Sequence, residues 1–505
     1  MRLRLSGSVA MGGDQHAPDY YLSNTGSRQA GLAVQLTNDP GSTFYRSVYA
    51  SFYHNQTGIL RGAHVANTTD LAAALQRDTP LYTDDKFHYE IGAPRQQVQH
   101  WLVKTEMKKQ VSEQWRLGID AAFQNNQRQE YDVRRGGRDS LPALALSLLN
   151  LWADVYAMWE GKSKSRLTVG LQPRFTDNRN EAGTGIYPLI PNYTLFNPSV
   201  YASYVQPWKG IDWEWGARWE SYGLKVKYLD RSGQLFAPER NNSNHAYSFG
   251  ISKDYHQRFH WRAQAAYLYR AAQVHELYSS GLHQGLAALE EGSPELGSER
   301  SIKISNDLRW QASEESQLSA SLYWHTIDHF IYLAPTLETR LTIRGSFPVF
   351  AYRQDDVVLR GFDFFWHQGI HHSWEINTKA AYVKGSYRDG SGDLIYMPPF
   401  RISSEVAKTF EPFHAIKDLR IGLEVQYTAR ASSATRIADY LPPPDAWMVV
   451  NLVMGAKYEK KDLHLAYQVA IDNVMNARYR DYLNRLRYFA DDTGRSIRLS
   501  IKYIF

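Results

Sequence analysis

The chain of 505 residues has no cysteine and no long apolar run, and each absence excludes a class of protein. Without cysteine, a thiol nucleophile is impossible. A helical membrane span needs roughly 18 consecutive apolar residues, and no segment approaches that length, so a helical membrane protein is excluded. The net charge of +5 is too small for this length to indicate a nucleic-acid partner.

Motifs of common catalytic sites are also missing. The sequence contains no glycine-rich phosphate loop, no H-E-x-x-H zinc motif and no G-x-S-x-G nucleophile elbow. Serine, histidine and aspartate are abundant, but one sequence does not show which of them lie together in space. We therefore predict a protein that is not an enzyme and that has neither a resident cofactor nor a structural metal.

The sequence does contain regular alternation of apolar and polar residues, which is clearest in residues 495–505. Apolar residues occupy every second position of that segment: Ile497, Leu499, Ile501, Tyr503 and Phe505. This period of two predicts a strand with one apolar and one polar face. The same alternation recurs in four further segments: 3–11, 318–324, 419–428 and 463–472. Such repetition is typical of a membrane barrel, whose polar lumen-facing positions also explain the low mean hydropathy of −0.49.

Tryptophan and tyrosine are frequent, and several tryptophans adjoin short polar turns. The chain has 14 Trp and 34 Tyr. Trp208 and Trp213 flank one short turn, and Trp366 and Trp374 flank another. Amphipathic rings favour the interface between membrane and water. The placement predicts an aromatic girdle at one rim of a barrel.

Connections between the predicted strands alternate between short turns and long polar segments such as 275–299 and 474–494. Outer-membrane barrels show this asymmetry, with short periplasmic turns and long external loops. Counting the segments gives about twenty strands. We predict one all-β domain over residues 1–505, a transmembrane antiparallel β-barrel of about 20–22 strands. A sheet of this kind must hide its edges from hydrocarbon, so we expect a closed barrel of about twenty strands or failure to assemble.

Four groups of short motifs occur in the order found in TonB-dependent outer-membrane receptors, a family that the chain resembles. The first group is Y-R-A-A at 269–272, E-L-Y at 276–278 and E-G-S-P-E-L at 291–296. The second is L-R-G-F-D at 359–363, and the third is M-P-P-F-R at 397–401. The fourth is I-D-N-V-M-N at 471–476, followed by Tyr479. The family's plug domain and its short energy-coupling box are not visible in this sequence. The resemblance therefore implies the barrel portion of such a receptor, from a gene model that begins late, a fragment, or a barrel whose plug is another chain.

The resemblance implies uptake of a scarce nutrient across the outer membrane, most often a ferric siderophore or another metal complex. Haem, zinc and cobalamin are alternative ligands, and a passive pore or a truncated product that does not transport are alternative functions. The implied partners are outer-membrane lipid, lipopolysaccharide, the barrel-assembly machinery and, through a plug domain, the TonB complex. Terminal residues Tyr503 and Phe505 would form the barrel-assembly signal.

Candidate ligand-binding residues lie in two predicted external loops. The first loop contains Arg134, Arg135 and Arg138, whose guanidinium groups suit an anionic ligand such as a ferric catecholate. The same arginines would equally suit lipopolysaccharide phosphates or ion pairs with neighbouring loops. The second loop contributes three further candidates: Tyr278, His283 and Glu290. Histidines in or near the loops could contact haem or zinc, although solvated loop histidines are more common.

Overall fold

A computed structural model describes residues 1–39, 41–83, 85–133, 140–230, 232–256, 258–370, 373–433, 435–460 and 463–504. The strands are β1 (Arg2–Gly12), β2 (Gln15–His16), β3 (Tyr21–Leu22), β4 (Ser27–Thr37), β5 (Phe44–Gly58), β6 (Arg95–Gln110), β7 (Trp115–Tyr131), β8 (Pro142–Glu160), β9 (Arg166–Gln172), β10 (Arg174–Asn180), β11 (Asn192–Phe196), β12 (Ser199–Trp208), β13 (Ile211–Leu229), β14 (Leu235–Phe236), β15 (Glu239–Tyr255), β16 (Phe259–Arg270), β17 (Ser280–His283), β18 (Ala288–Glu291), β19 (Glu299–Ser313), β20 (Ser316–Thr342), β21 (Gly345–Ile370), β22 (Trp374–Tyr387), β23 (Arg401–Thr409), β24 (Ile416–Thr428), β25 (Trp447–Lys460), β26 (Leu463–Asp472) and β27 (Ser496–Ile504).

Helices are short and lie in the connections. The α-helices are α1 (Thr68–Ala74) and α2 (Val274–Tyr278), and single 3-10 turns occur at Arg61–Ala63, Gln284–Leu286 and Arg485–Tyr488. Asn67 caps α1 by accepting a hydrogen bond from the Asp70 backbone N–H at 2.8 Å. Within the described ranges, none of the helices has the length and apolar character needed to cross a bilayer.

In the part of the chain that the structure describes, twenty strand positions form one antiparallel wall in chain order. β9 and β10 share one position, interrupted at Pro173, and β11 and β12 share another, interrupted at Asn197 and Pro198. Proline has no N–H to give to the ladder, which explains both interruptions. The twenty positions are β1, β4–β8, β9/β10, β11/β12, β13, β15, β16 and β19–β27. The prediction of an all-β barrel of about twenty strands is confirmed.

The first and last strands of the wall each pair with one neighbour. β1 pairs with β4 and β27 pairs with β26, and no ladder joins β1 to β27 among the described residues. The loop that follows β1 and the loop that precedes β27 are hydrogen-bonded to each other. The Gly494 N–H donates to the His16 carbonyl at 2.8 Å, and the Asn476 side chain donates to the Pro18 carbonyl at 3.0 Å. The first and last strands of the wall are therefore joined through their external loops.

Alternating side chains give the wall two faces. On β24 and β25, Ile421 faces Met454 and Leu423 faces Leu452 across the ladder, and all four belong to the apolar outer face. Leu423 is 48% exposed in the protein alone, as expected for a side chain that contacts lipid. The alternate positions of β24 point towards the lumen and are mostly polar, as Arg420, Glu424 and Gln426 show. A repeated apolar face of this kind is what the period of two predicted.

Short turns and long loops alternate at the two ends of the wall. The turns at 209–210 and 314–315 contain two residues each, whereas the connections at 59–94, 271–298 and 473–495 are long. Trp208 and Trp213 flank the first of these turns, with ring centroids 6.4 Å apart. The long loops all leave the opposite end of the wall, where they meet above the lumen.

The β20–β21 hairpin is much longer than the strands beside it. β19 pairs with β20 only as far as Asp328, and β22 pairs with β21 only from Val357. Residues 329–356, here named the mouth hairpin, therefore project beyond the wall. Two register shifts interrupt its ladder, one between Ile327 and Phe330 and one between Pro335 and Thr339. Bulges of this kind bend a strand, which lets the hairpin turn away from the direction of the wall.

Candidate functional site

The external loops pack together into one apolar cluster, here named the loop cap. Its buried members are Ala17, Tyr20, Leu22, Leu60, Ala63, Val65, Leu71, Ala74, Leu282, Ala287, Ala288, Leu289, Phe347, Val349, Phe350, Tyr488, Phe489 and Ala490. These residues come from the connections that follow β1, β5, β16 and β26 and from the mouth hairpin. Connections that are far apart in sequence thus share one core above the lumen, and Phe347 at its centre is 0% exposed.

A buried carboxylate organises the polar part of the loop cap. Asp439, in the loop after β24, forms an ion pair with Arg487 and accepts hydrogen bonds from two tyrosines. The Tyr396 hydroxyl donates to it at 2.8 Å, and the Tyr488 hydroxyl is its second phenolic donor. Arg487 is 2% exposed and Asp439 is 8% exposed. Because a buried charge is stable only when paired, this ion pair fixes the last loop against the loop after β24.

Tyrosine hydroxyls in this region are held in their neutral form. Burial raises the pKa of Tyr488, and the nearby Asp439 carboxylate raises it further. Burial likewise raises the pKa of Tyr396. On the other side of the cap, burial raises the pKa of Tyr20 to about 12, and its hydroxyl donates to Asp491 at 3.1 Å. These phenols therefore serve as hydrogen-bond donors over the whole physiological pH range.

Arg485 lies between two aromatic rings at the edge of the loop cap. Its guanidinium carbon is 4.0 Å from the centroid of the Tyr396 ring and 4.5 Å from that of the Phe350 ring. Stacking on ring faces stabilises a guanidinium group without using its N–H donors. The Nη1 atom has no hydrogen-bond partner among the described residues. Arg485 is therefore a positioned cation with an unused donor.

A second arginine stacks on tyrosine where β21 and β22 leave the wall. The guanidinium of Arg436 lies 3.9 Å from the centroid of the Tyr387 ring and forms an ion pair with Asp355. The Tyr332 hydroxyl donates to Asp355 at 2.7 Å and lies 3.0 Å from the Tyr387 hydroxyl. Arg436 is already neutralised, whereas Arg485 has no ion pair with any residue that the structure describes. The two arginines give the barrel mouth an aromatic and cationic character.

The structure brings two of the predicted site residues together. His283 and Glu290 belong to strands β17 and β18 of one small hairpin, and His283 Nδ1 lies 2.8 Å from a Glu290 carboxylate oxygen. Glu290 is buried, whereas His283 is partly exposed.

Tyr278 and the neighbouring His275 lie on the same external connection as that pair. The Tyr278 ring packs 5.9 Å from the Tyr228 ring, in a second apolar cluster beside β13. His275 lies 5.7 Å from the Tyr352 ring, and burial lowers its pKa. Within the described ranges, no three histidine, aspartate or glutamate side chains are grouped so that they could share a metal ion.

The remaining predicted residues fall elsewhere. Arg134, Arg135, Arg138 and Phe505 lie outside the described residues. Tyr503 lies on the outer face of β27, 53% exposed.

The residues that organise the cap were missed as site candidates, chief among them Asp439, Arg485 and Arg487. The available signal was the run of arginine and tyrosine at 478–488, in the longest loop near the end of the chain. A run of this composition does not by itself show which of its side chains contact distant loops.

A sequence profile described as "TonB dependent receptor-like, beta-barrel" matches residues 11–476. This chain belongs to that family. Members are transporters of the outer membrane and not enzymes, which confirms the predicted family, location and absence of catalysis. Among curated proteins, none matches the sequence.

Solved structures agree with the TonB-dependent receptor assignment. The copper transporter OprC aligns with a TM-score of 0.76 at 13% identity, over 100% of this chain and 76% of its own. The ferric-catecholate import receptor Fiu from E. coli K12 aligns with a TM-score of 0.69 at 11% identity, over 99% and 77%. The ferric yersiniabactin uptake receptor FyuA from Yersinia pestis aligns with a TM-score of 0.66 at 12% identity, over 100% and 75%. At these identities the comparison establishes the shared fold.

Proposed function

We propose that this chain is the barrel and external mouth of an uptake receptor for a ferric siderophore or a related anionic metal complex. The observation that carries the proposal is Arg485, a cation held between the Tyr396 and Phe350 rings with Nη1 unpaired. Aromatic faces accommodate the catechol or azole rings of such ligands, and a guanidinium pairs with their anionic oxygens. The names of the similar structures, which include a copper transporter and two ferric-siderophore receptors, support the same class.

In this proposal, His283, Glu290 and Tyr278 contact the ligand from the external connection that contributes Leu282 and Leu289 to the loop cap. Arg134, Arg135 and Arg138 would attract the anionic ligand from outside, since long-range attraction by clustered positive charge speeds association. Energy coupling would pass through a plug domain to the TonB complex. Lipopolysaccharide and the barrel-assembly machinery remain proposed partners, the latter through Tyr503 and Phe505.

Binding of a ferric tris-catecholate to the refolded chain in detergent micelles tests the proposal through quenching of tryptophan fluorescence. Arg485→Gln removes the charge but keeps a polar side chain, and we expect affinity to fall by roughly tenfold, as for loss of one charged hydrogen bond. Arg430→Gln is the matched control, because Arg430 is exposed and already paired with Asp445 at 2.9 Å. Equal affinity of the two variants would overturn the role of Arg485. Steady ion conductance without any ligand binding would instead indicate a passive pore.

A further inference from the structure

Two cations lie side by side on the outer face of the wall. Arg360 of β21 faces Lys384 of β22 across one ladder and Trp324 of β20 across the other. Trp324 belongs to the apolar outer face together with Leu322, and the two side chains are 45% and 56% exposed. Residues opposite each other in a ladder point to the same face of the sheet. Both cations therefore face the membrane and not the lumen.

The two cations lie near the external edge of the lipid-facing band. Arg360 is about ten residues from Ile370, where β21 ends on the periplasmic side, and Lys384 is equally far from Trp374, where β22 begins. Ten residues at about 3.3 Å each, on strands tilted by about 40°, rise by about 25 Å. The apolar band of an outer-membrane barrel is also about 25 Å tall. Arg360 and Lys384 are therefore at the level where the headgroups of the external leaflet begin.

Carboxylates of the protein do not fully balance these two charges. Arg360 forms no ion pair with any residue that the structure describes, and its guanidinium carbon stacks 4.0 Å from the centroid of the Trp324 ring. Lys384 Nζ lies 3.3 Å from the Asp393 carboxylate, and the lysine side chain remains 53% exposed. Like charges directly opposite each other destabilise a ladder. An anionic group bound between Arg360 and Lys384 would relieve that repulsion.

An apolar groove, here named the rim groove, adjoins the two cations on the same outer face. Its cavity of about 500 Å³ is lined by both cations and by Ile304, Leu322, Trp324 and Tyr382. Phe400 bounds one side, with its ring centroid 6.4 Å from that of Phe362. The ladder between β22 and β23 ends at Ala381, so the β23 ladder does not extend beside Tyr382 and Lys384. The rim groove therefore combines a cationic external end with an apolar floor.

We propose that the rim groove binds lipid A, the phosphorylated and acylated glycolipid of the external leaflet. Arg360 and Lys384 bind one of its phosphates, and an acyl chain lies along the apolar floor. A guanidinium group pairs with two phosphate oxygens at once, and an ammonium group adds a point charge. Trp324 holds the guanidinium at the membrane interface. The rim groove faces the membrane, so its occupancy does not depend on the uptake ligand.

Native mass spectrometry of the refolded chain in detergent micelles, titrated with bisphosphorylated lipid A, tests the proposal. Arg360→Gln combined with Lys384→Gln removes both charges, and we expect affinity to fall by at least about tenfold, as for loss of a charged hydrogen bond. Arg360→Lys combined with Lys384→Arg keeps both charges and should retain most of the affinity. Dephosphorylated lipid A should bind the parent protein as weakly as bisphosphorylated lipid A binds the double glutamine variant.

Lys408→Gln is the matched control. Lys408 faces Trp374 across the ladder, and its Nζ lies 5.2 Å from the centroid of that ring, so it offers a similar cation and aromatic pair. It lies at the periplasmic edge of the wall, where the other leaflet begins. In protein extracted from outer membranes, we expect the double glutamine variant to carry less lipopolysaccharide per chain than the parent protein does. Lys408→Gln should carry as much as the parent.

Heat-modifiable migration on gels should show that every variant is folded, and the comparison of the two forms of lipid A needs no variant at all. Equal affinity of the parent protein for phosphorylated and dephosphorylated lipid A would overturn the proposal. Equal affinity of the parent and the double glutamine variant, or an equal loss in Lys408→Gln, would also overturn it. Phosphatidylglycerol should bind the parent more weakly than lipid A does. If it bound as tightly and lost the same affinity in the double glutamine variant, the assignment to lipid A would be wrong.

Discussion

The wall and the loop cap place their apolar residues in opposite surroundings. On the wall, Leu322 and Leu423 point outward and remain about half exposed in the protein alone. In the cap, Phe347 and Tyr488 are buried among residues from distant loops. The wall therefore depends on lipid to cover its apolar face, whereas the cap is stabilised by its own packing. We therefore expect that the two regions can be perturbed separately.

The largest expected effect on the cap comes from its buried carboxylate. Asp439→Ala leaves Arg487 buried without its partner, which costs about 3–5 kcal/mol. We expect faster trypsin cleavage in the external loops of the folded protein, with no loss of the heat-modifiable band that reports the wall. Asp445→Ala is the control on the same loop, because Asp445 is exposed and its ion pair in the described structure is with the exposed Arg430. If both variants were cleaved at the same rate, the cap would not depend on the Asp439 ion pair.

The wall should respond to charge on its outer face and tolerate charge in its lumen. Leu423→Arg places a cation near the middle of the lipid-facing band, at a cost of about 2–4 kcal/mol. Gln426→Arg lies on the same strand but faces the lumen, where Gln426 now donates to Glu424 at 2.8 Å. We expect urea unfolding in lipid vesicles to show a large loss of stability for Leu423→Arg alone. Similar losses for the two variants would mean that the assigned faces of β24 are wrong.

The third prediction concerns acid and the loop cap. His64 lies between the cap residues Ala63 and Val65, with its ring 5.5 Å from that of Phe347. Its pKa is lowered from 6.5 to about 4, mainly by burial and also by Arg61 and Arg344, against the opposing effect of Asp132. The imidazole regains its ordinary pKa when the cap opens, so the open state binds more protons. Stability of the closed state is therefore complete above about pH 6.5 and is lost as the pH falls towards 4.

At pH 5.5 this difference amounts to about 1.4 kcal/mol, or roughly a tenfold larger open population. Hydrogen exchange of the cap segment 60–75 at pH 7.5 and pH 5.5, corrected for the intrinsic pH dependence of exchange, measures it. His64→Phe keeps an aromatic ring without a titrating group and should remove the dependence on pH. A pH effect of the same size in His64→Phe would assign it to another group.

The architecture of the wall could be predicted from sequence because its information is local. Leu419, Ile421 and Leu423 occupy alternate positions, and a period of two on one short segment already defines the faces of a strand. The lengths of the connections then define which end is external. Neither inference needs knowledge of which residues meet in space.

The loop cap could not be predicted in this way, because its contacts join residues that are distant in sequence. Tyr20 bonds to Asp491 across 471 residues, and Arg344 pairs with Asp132 across 212 residues. Nothing in the alternation of β20 and β21 distinguishes the part that projects beyond the wall from the part inside it. His283 and Glu290 were each chosen from sequence, but their contact depends on the register of β17 with β18.

The most direct test of the separation between wall and cap is hydrogen exchange of Phe347→Ala in lipid bilayers, compared with the parent protein. Removing this central ring from a tightly packed site should cost about 3–5 kcal/mol of cap stability. We predict exchange faster by about 100-fold or more in cap segments such as 60–75 and 484–490, with unchanged protection in β24, β25 and β26. Loss of protection throughout those wall strands, or unchanged protection of the cap, would contradict the account.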